Sequence, residues 1–180
     1  MIIAQERRQN NIAEYIIYMF QVEDVLRALD LDELKIEQYV NQNFKSHKND
    51  LDTIKNWYLG LNDLMKTENL IEKGHLSIIK NNLEELQDFH QKLLNSPDYN
   101  TYNEQYSVAF PYLKEFSYRS NSKTENEITI CFHAIYSKLL LKLKHVEISN
   151  DTEVAFRAIS KLLALLSVYF KDYETGKIEL

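Results

Sequence analysis

Glu72 and His75 are spaced Glu-x-x-His. In di-metal carboxylate bundles that spacing turns a carboxylate and an imidazole inward from one helix. Such bundles need two of these motifs and two further carboxylates, and the chain has one motif. Glu14 could supply a third ligand if the first helix packs on the one carrying His75. His90 lies about four turns further along, too far to share an ion with His75. A helix cap at Glu72 and a hydrogen-bonded imidazole at His75 describe the pair more economically. We therefore assign no metal site and no cofactor.

Other polar groups are scattered over apolar surfaces. Glu14 and Gln21 flank Tyr18 on one edge of a helical arc. His90 lies in the centre of a face built from Ile79, Leu83, Leu86 and Leu93. A buried neutral imidazole needs a partner for each ring nitrogen. His90 is thus either satisfied by a tyrosine or carbonyl, or tuned for a role. Cys131 and His133 are two residues apart, so on a helix they point in nearly opposite directions. They cannot act together as nucleophile and base. Cys131 reads as a small buried hydrophobe, and His133 as a surface or second-interface residue. With three widely separated glycines, no phosphate-cradling loop can form. There is no G-x-S-x-G elbow and no paired-cysteine zinc motif. We assign no catalytic residue. The candidate ligand-binding lining is Glu14, Tyr18, Gln21, Glu72, His75 and His90.

Helices must position these groups. The chain has 180 residues with only three Gly and two Pro. Sheet proteins need more turn residues, so the expectation is an all-α, single-domain bundle of about six to seven helices. Helix one, about residues 4–29, is apolar nearly all round and is expected to be central. Within it, Glu23 and Arg27 read as a surface pair at i,i+4. Further helices are expected near residues 30–44, 50–69, 69–95 and 97–116. Gly60 lies inside the third, where close approach of another helix would offset its cost. Pro111 predicts a kink or break near 107–111. Tyr99, Tyr102, Tyr106, Phe110, Leu113 and Phe116 form an aromatic stripe. Residues 117–126 are the most loop-like stretch and precede a C-terminal helical hairpin over 126–173, opened by a Thr124–Glu127 capping box.

Composition excludes several roles. The net charge is −6 and the basic residues are dispersed, so no face suits the phosphate backbone of nucleic acid. The N-terminal residues carry no signal-peptide core. No apolar run reaches the ~18 residues of a membrane span. A single cysteine cannot form an internal disulfide, which fits a cytoplasmic location.

The pieces NIAEYIIYMFQVED, EKGHL, LLNSP, ITICFHAIY and LLLKLKHVEIS resemble a family of small bacterial proteins, common in the Bacteroidetes and filed as a domain of unknown function. The resemblance runs nearly end to end. It implies an all-helical cytoplasmic protein and supplies no activity, ligand or catalytic residue. Two expectations follow from the residues. The first is a non-enzymatic protein that associates with another protein or with itself, a homodimer through aromatic surfaces included. The second is a bundle holding a small ligand or metal in an internal polar pocket.

Overall fold

Asn11 divides the apolar N-terminal stretch into two helices. Its backbone is extended, and its side-chain oxygen accepts from Ala13 N at 2.9 Å and Glu14 N at 3.2 Å. Asparagine is among the strongest N-caps, so the chain restarts there. The computed structural model describes residues 2–47, 49–121 and 125–180. Helix α1 spans Ile2–Asn10 and α2 spans Ile12–Ala28, followed by α3 at Glu33–Asn43 and α4 at Leu51–Thr67. Helix α5 covers Ser77–Asn95, then a 3-10 turn at Pro97–Tyr99 leads into α6 at Asn100–Ser120. Helices α7, Glu127–Leu143, and α8, Asn150–Glu174, complete the chain. Among the described residues there are eight α-helices and no strand. The fold is all-α, as its composition requires, with a count slightly above expectation because Asn11 splits the first helix.

The helix expected over 69–95 begins later, at Ser77. Asn69, at the start of the expected span, is not helical. It lies in the left-handed region (φ 55°) just past the end of α4, where Leu70 N donates to Met65 O at 2.8 Å. This is the reversed-turn ending that left-handed residues permit. Gly74 is also left-handed (φ 95°), and a Cβ there would meet Leu70 Cδ2 at 3.1 Å. Two such residues cannot belong to one right-handed helix. The 68–76 segment is therefore a turn, with Glu72 and His75 on it rather than on a helix.

Other details moved as well. Gly60 is exposed, and a Cβ added to it would meet nothing within 4 Å, so no helix approaches it closely. Pro111 sits inside a continuous α6. Helix α6 continues through Ser120 and ends at left-handed Asn121, so residues 117–120 are helical. The cap expected at Thr124 lies outside the described residues. Asn126 starts α7 instead, accepting from Thr129 N at 2.7 Å.

Helix α8 packs against α2, α5, α6 and α7, and α7 against α2, α5, α6 and α8. Helix α2 packs on α1, α7 and α8. The centre is thus shared by α2, α7 and α8. Ile16, Phe20 and Leu26 of α2, Ile128 and Phe132 of α7, and Leu162 and Leu166 of α8 are all essentially solvent-free and belong to one hydrophobic core. Burying one such side chain contributes roughly 1.5–3 kcal/mol. The aromatic stripe is used internally: Tyr99 and Tyr102 pack edge-on against Tyr169 of α8. No described helix is long and apolar enough to cross a membrane.

Candidate functional site

The polar centre of the structure is a chain of four side chains, Glu23–His75–His133–Glu125. Glu23 comes from α2 and is fully buried. A carboxylate without water must be matched by donors. Glu23 Oε1 accepts Leu76 N at 2.8 Å, and Oε2 lies 2.5 Å from His75 Nδ1. His75 Nε2 lies 3.3 Å from His133 Nε2. His133 Nδ1 completes the chain at 2.9 Å from Glu125 Oε2, just ahead of α7.

Packing and clamps fix these groups. Phe20 stacks on the His75 ring at 3.9 Å between centroids and 16° between planes. Tyr136 packs edge-on against Phe20 and donates to Asp24 Oδ2 at 2.7 Å. Burial, helped by that bond to Asp24, pushes the Tyr136 hydroxyl well above the usual phenol range. Arg27 holds the turn from below. Its Nε donates to Leu70 O at 3.2 Å, Nη2 donates to Gly74 O, and Nη1 donates to Asp24 Oδ1 at 3.0 Å. Glu68 accepts from Ser77 N at 2.7 Å and Ser77 Oγ at 2.8 Å. Helix α5 has no side-chain cap of its own, so Glu23 and Glu68 together satisfy donors at its start.

The histidine pair faces an open cleft of about 580 Å³ between the 73–84 stretch and the start of α7. Lys73, Lys80, Glu84 and Thr129 also line it. Burial lowers the pKa of His133; Glu125 opposes the shift and His75 adds to it. Among the described residues, no group of three or more His, Cys, Asp and Glu converges on one point. The protein offers two facing imidazoles to the cleft, with each carboxylate spent on an Nδ1.

The six side chains nominated from sequence do not gather in one place. Glu14, Tyr18 and Gln21 share a wall of a separate pocket of about 320 Å³, with Arg7, Ser160 and Leu163. Glu14 is mostly exposed and pairs with Arg7 at 3.3 Å. Tyr18 stacks with Trp57, and the Arg7 guanidinium sits over its ring. Glu72 is exposed on the turn. His75 alone reaches the cleft. His90 is fully buried elsewhere. Its Nε2 lies 3.2 Å from Glu127 Oε2, and the Tyr102 hydroxyl lies 2.7 Å from its Nδ1. Glu127 is an acceptor, so Nε2 carries the hydrogen and Tyr102 donates to Nδ1. Tyr106 also donates to Glu127, at 2.8 Å. The histidine bond, helped by that of Tyr106, holds the Glu127 carboxyl below the usual carboxylate range. This cluster ties α5, α6 and α7 together with both imidazole nitrogens satisfied.

Sequence reasoning missed Glu23, Glu125 and His133. Glu23 does not pair with Arg27 at the surface; it turns inward, and Arg27 takes Asp24. One signal was present: a helix apolar nearly all round leaves few exposed positions for its charged residues. The partners stand 52 and 58 residues apart, a distance that periodicity does not report.

Residues 1–177 match the model of a protein family described as a domain of unknown function, DUF4924. The chain belongs to the DUF4924 family. No curated protein and no solved structure matches it. The chemistry of this DUF4924 chain therefore rests on the geometry above.

Proposed function

We propose that the protein is a binding module that holds a small ligand in the cleft floored by His75 and His133. One observation carries this: the two Nε2 atoms meet at 3.3 Å while each Nδ1 already faces its own glutamate. A carboxylate only accepts hydrogen bonds, and a neutral imidazole carries one N–H. While both rings are neutral, both hydrogens are drawn to Nδ1, and each Nε2 keeps a lone pair at the edge of the cleft. Two such lone pairs 3.3 Å apart suit an electron-poor group beside them, within reach of both. The cleft opens to solvent there, and its volume is in the usual range for small-ligand sites, about 300–1,000 Å³. Native mass spectrometry of full-length protein purified without chelator tests this. A bound mass that is absent from His133→Ala, with helicity unchanged by circular dichroism, is the expected result. A bare chain from every preparation overturns it.

A cytoplasmic setting is part of this reading, supported by the single, free and buried Cys131. Self-association is the second reading. It is supported by an apolar groove of about 830 Å³ lined by Tyr15, Met19, Trp57, Leu64 and Ile78, of which Leu64 and Ile78 are about half exposed. Sedimentation of wild type beside Leu64→Glu distinguishes a dimer through this groove from a monomer.

A further inference from the structure

We propose that the facing Nε2 atoms of His75 and His133 form a two-histidine site for a divalent first-row transition-metal ion of the zinc class. Its remaining coordination positions open to the cleft. The inference deepens the ligand-binding reading above and rests on it.

Three features of the pair carry it. The first is distance. Two nitrogens bound to one tetrahedral ion at 2.0–2.1 Å stand about 3.3 Å apart, by the tetrahedral angle. The two Nε2 atoms stand at 3.3 Å. The same spacing is within reach of a direct N–H···N bond when no ion is bound, so the pair needs no rearrangement to accept an ion.

The second is support behind the ligands. Metal-bound histidines nearly always donate their other N–H to a carboxylate, carbonyl or water, which fixes tautomer and ring orientation. Here both Nδ1 atoms face carboxylates, Glu23 at 2.5 Å and Glu125 at 2.9 Å, placed to accept such bonds. Phe20 stacked beneath His75 locks that ring further.

The third is charge. Binding an ion requires both imidazoles neutral; Glu23 and Glu125 behind them then supply two negative charges, and Glu84 with Lys73 and Lys80 lines the same cleft. Imidazole suits zinc, copper and nickel. Only two protein donors converge among the described residues, one fewer than in the usual open zinc site, so water or a second ligand in the cleft completes the shell.

The experiment uses the full chain stripped with EDTA and dialysed. Zn²⁺ alone is titrated by calorimetry, and Co²⁺ is followed by its visible absorption. We expect one ion per chain with a tetrahedral cobalt spectrum. His133→Ala should abolish that stoichiometric binding. Glu125→Gln, at a half-exposed position that leaves the core intact, should weaken it 10- to 100-fold. His47→Ala, in an exposed loop, should bind as wild type. No saturable uptake, or equal uptake by His133→Ala, overturns the inference. An organic mass retained in the native spectrum without zinc uptake also overturns it, and leaves the cleft standing as a ligand site.

Discussion

Glu23 Oε1 accepts the backbone N–H of Leu76 at 2.8 Å, across 53 residues of sequence. The bond serves the entry to α5, and the other oxygen of the same carboxylate faces His75 Nδ1. One buried carboxyl thus anchors a helix start and faces Nδ1 of a site histidine. Fold stability and site geometry are coupled at this residue.

Glu23→Ala leaves the Leu76 N–H and the His75 Nδ1–H without their acceptor. Breaking a buried pair from one side costs about 3–5 kcal/mol, and urea denaturation should show a loss of that size. Glu23→Gln keeps an oxygen for Leu76 and should cost less. An unchanged midpoint for Glu23→Ala would show that the carboxylate does not anchor α5.

Gly60 is a helix-interior glycine with open space where a Cβ would stand. Alanine there should stabilise the protein by about 0.8–1 kcal/mol through propensity alone. That corresponds to a rise of roughly 2–4 °C in thermal midpoint for a chain of this size. A fall in the midpoint would mean that another element does approach α4.

Asn62 is fully buried, and neither its amide nitrogen nor its oxygen has a hydrogen-bond partner among the described residues. A buried unsatisfied polar group costs about 1–3 kcal/mol. Asn62→Leu, close in volume, should raise stability by about 1 kcal/mol. Destabilisation of similar size would instead place an ordered water on the amide.

The Glu127 carboxyl is held below its ordinary pKa by His90, with Tyr106 assisting. A depressed carboxylate pKa stabilises the fold fully above the unfolded value of about 4.3, and that part is lost as pH falls through the lower folded value. Denaturant titrations from pH 7 to pH 3 should show wild type more stable than Glu127→Gln at neutral pH, the gap narrowing below about pH 4.3. A gap that stays constant to pH 3 would remove Glu127 from the acid response.

Periodicity and the scarcity of turn residues made the fold class readable. The apolar faces of α4 through α8 stand close to where helical spacing puts them. Boundaries failed where one side chain or one backbone angle decides. Asn11 restarts a helix that hydrophobicity alone would run through. Asn69 and Gly74 carry positive φ, which turns Glu-x-x-His from a helical pair into a turn. The site was less legible than the fold. His75 was singled out, while Glu23 looked like half of an i,i+4 surface pair because Arg27 offered a local partner. His133 lies off the strongest apolar face of α7, and only the packing of the 68–76 turn against α7 brings its ring to His75. Such pairings depend on which helices meet, and no spacing within a helix encodes that.

The central claim concerns two hydrogens, and nitrogen-15 NMR of the histidine rings in the full chain, in metal-free buffer, reads them. The account predicts Nδ1–H tautomers for both His75 and His133, with Nε2 resonances of both that shift together when Zn²⁺ is added. Nε2–H tautomers on both rings, unmoved by Zn²⁺, would contradict it.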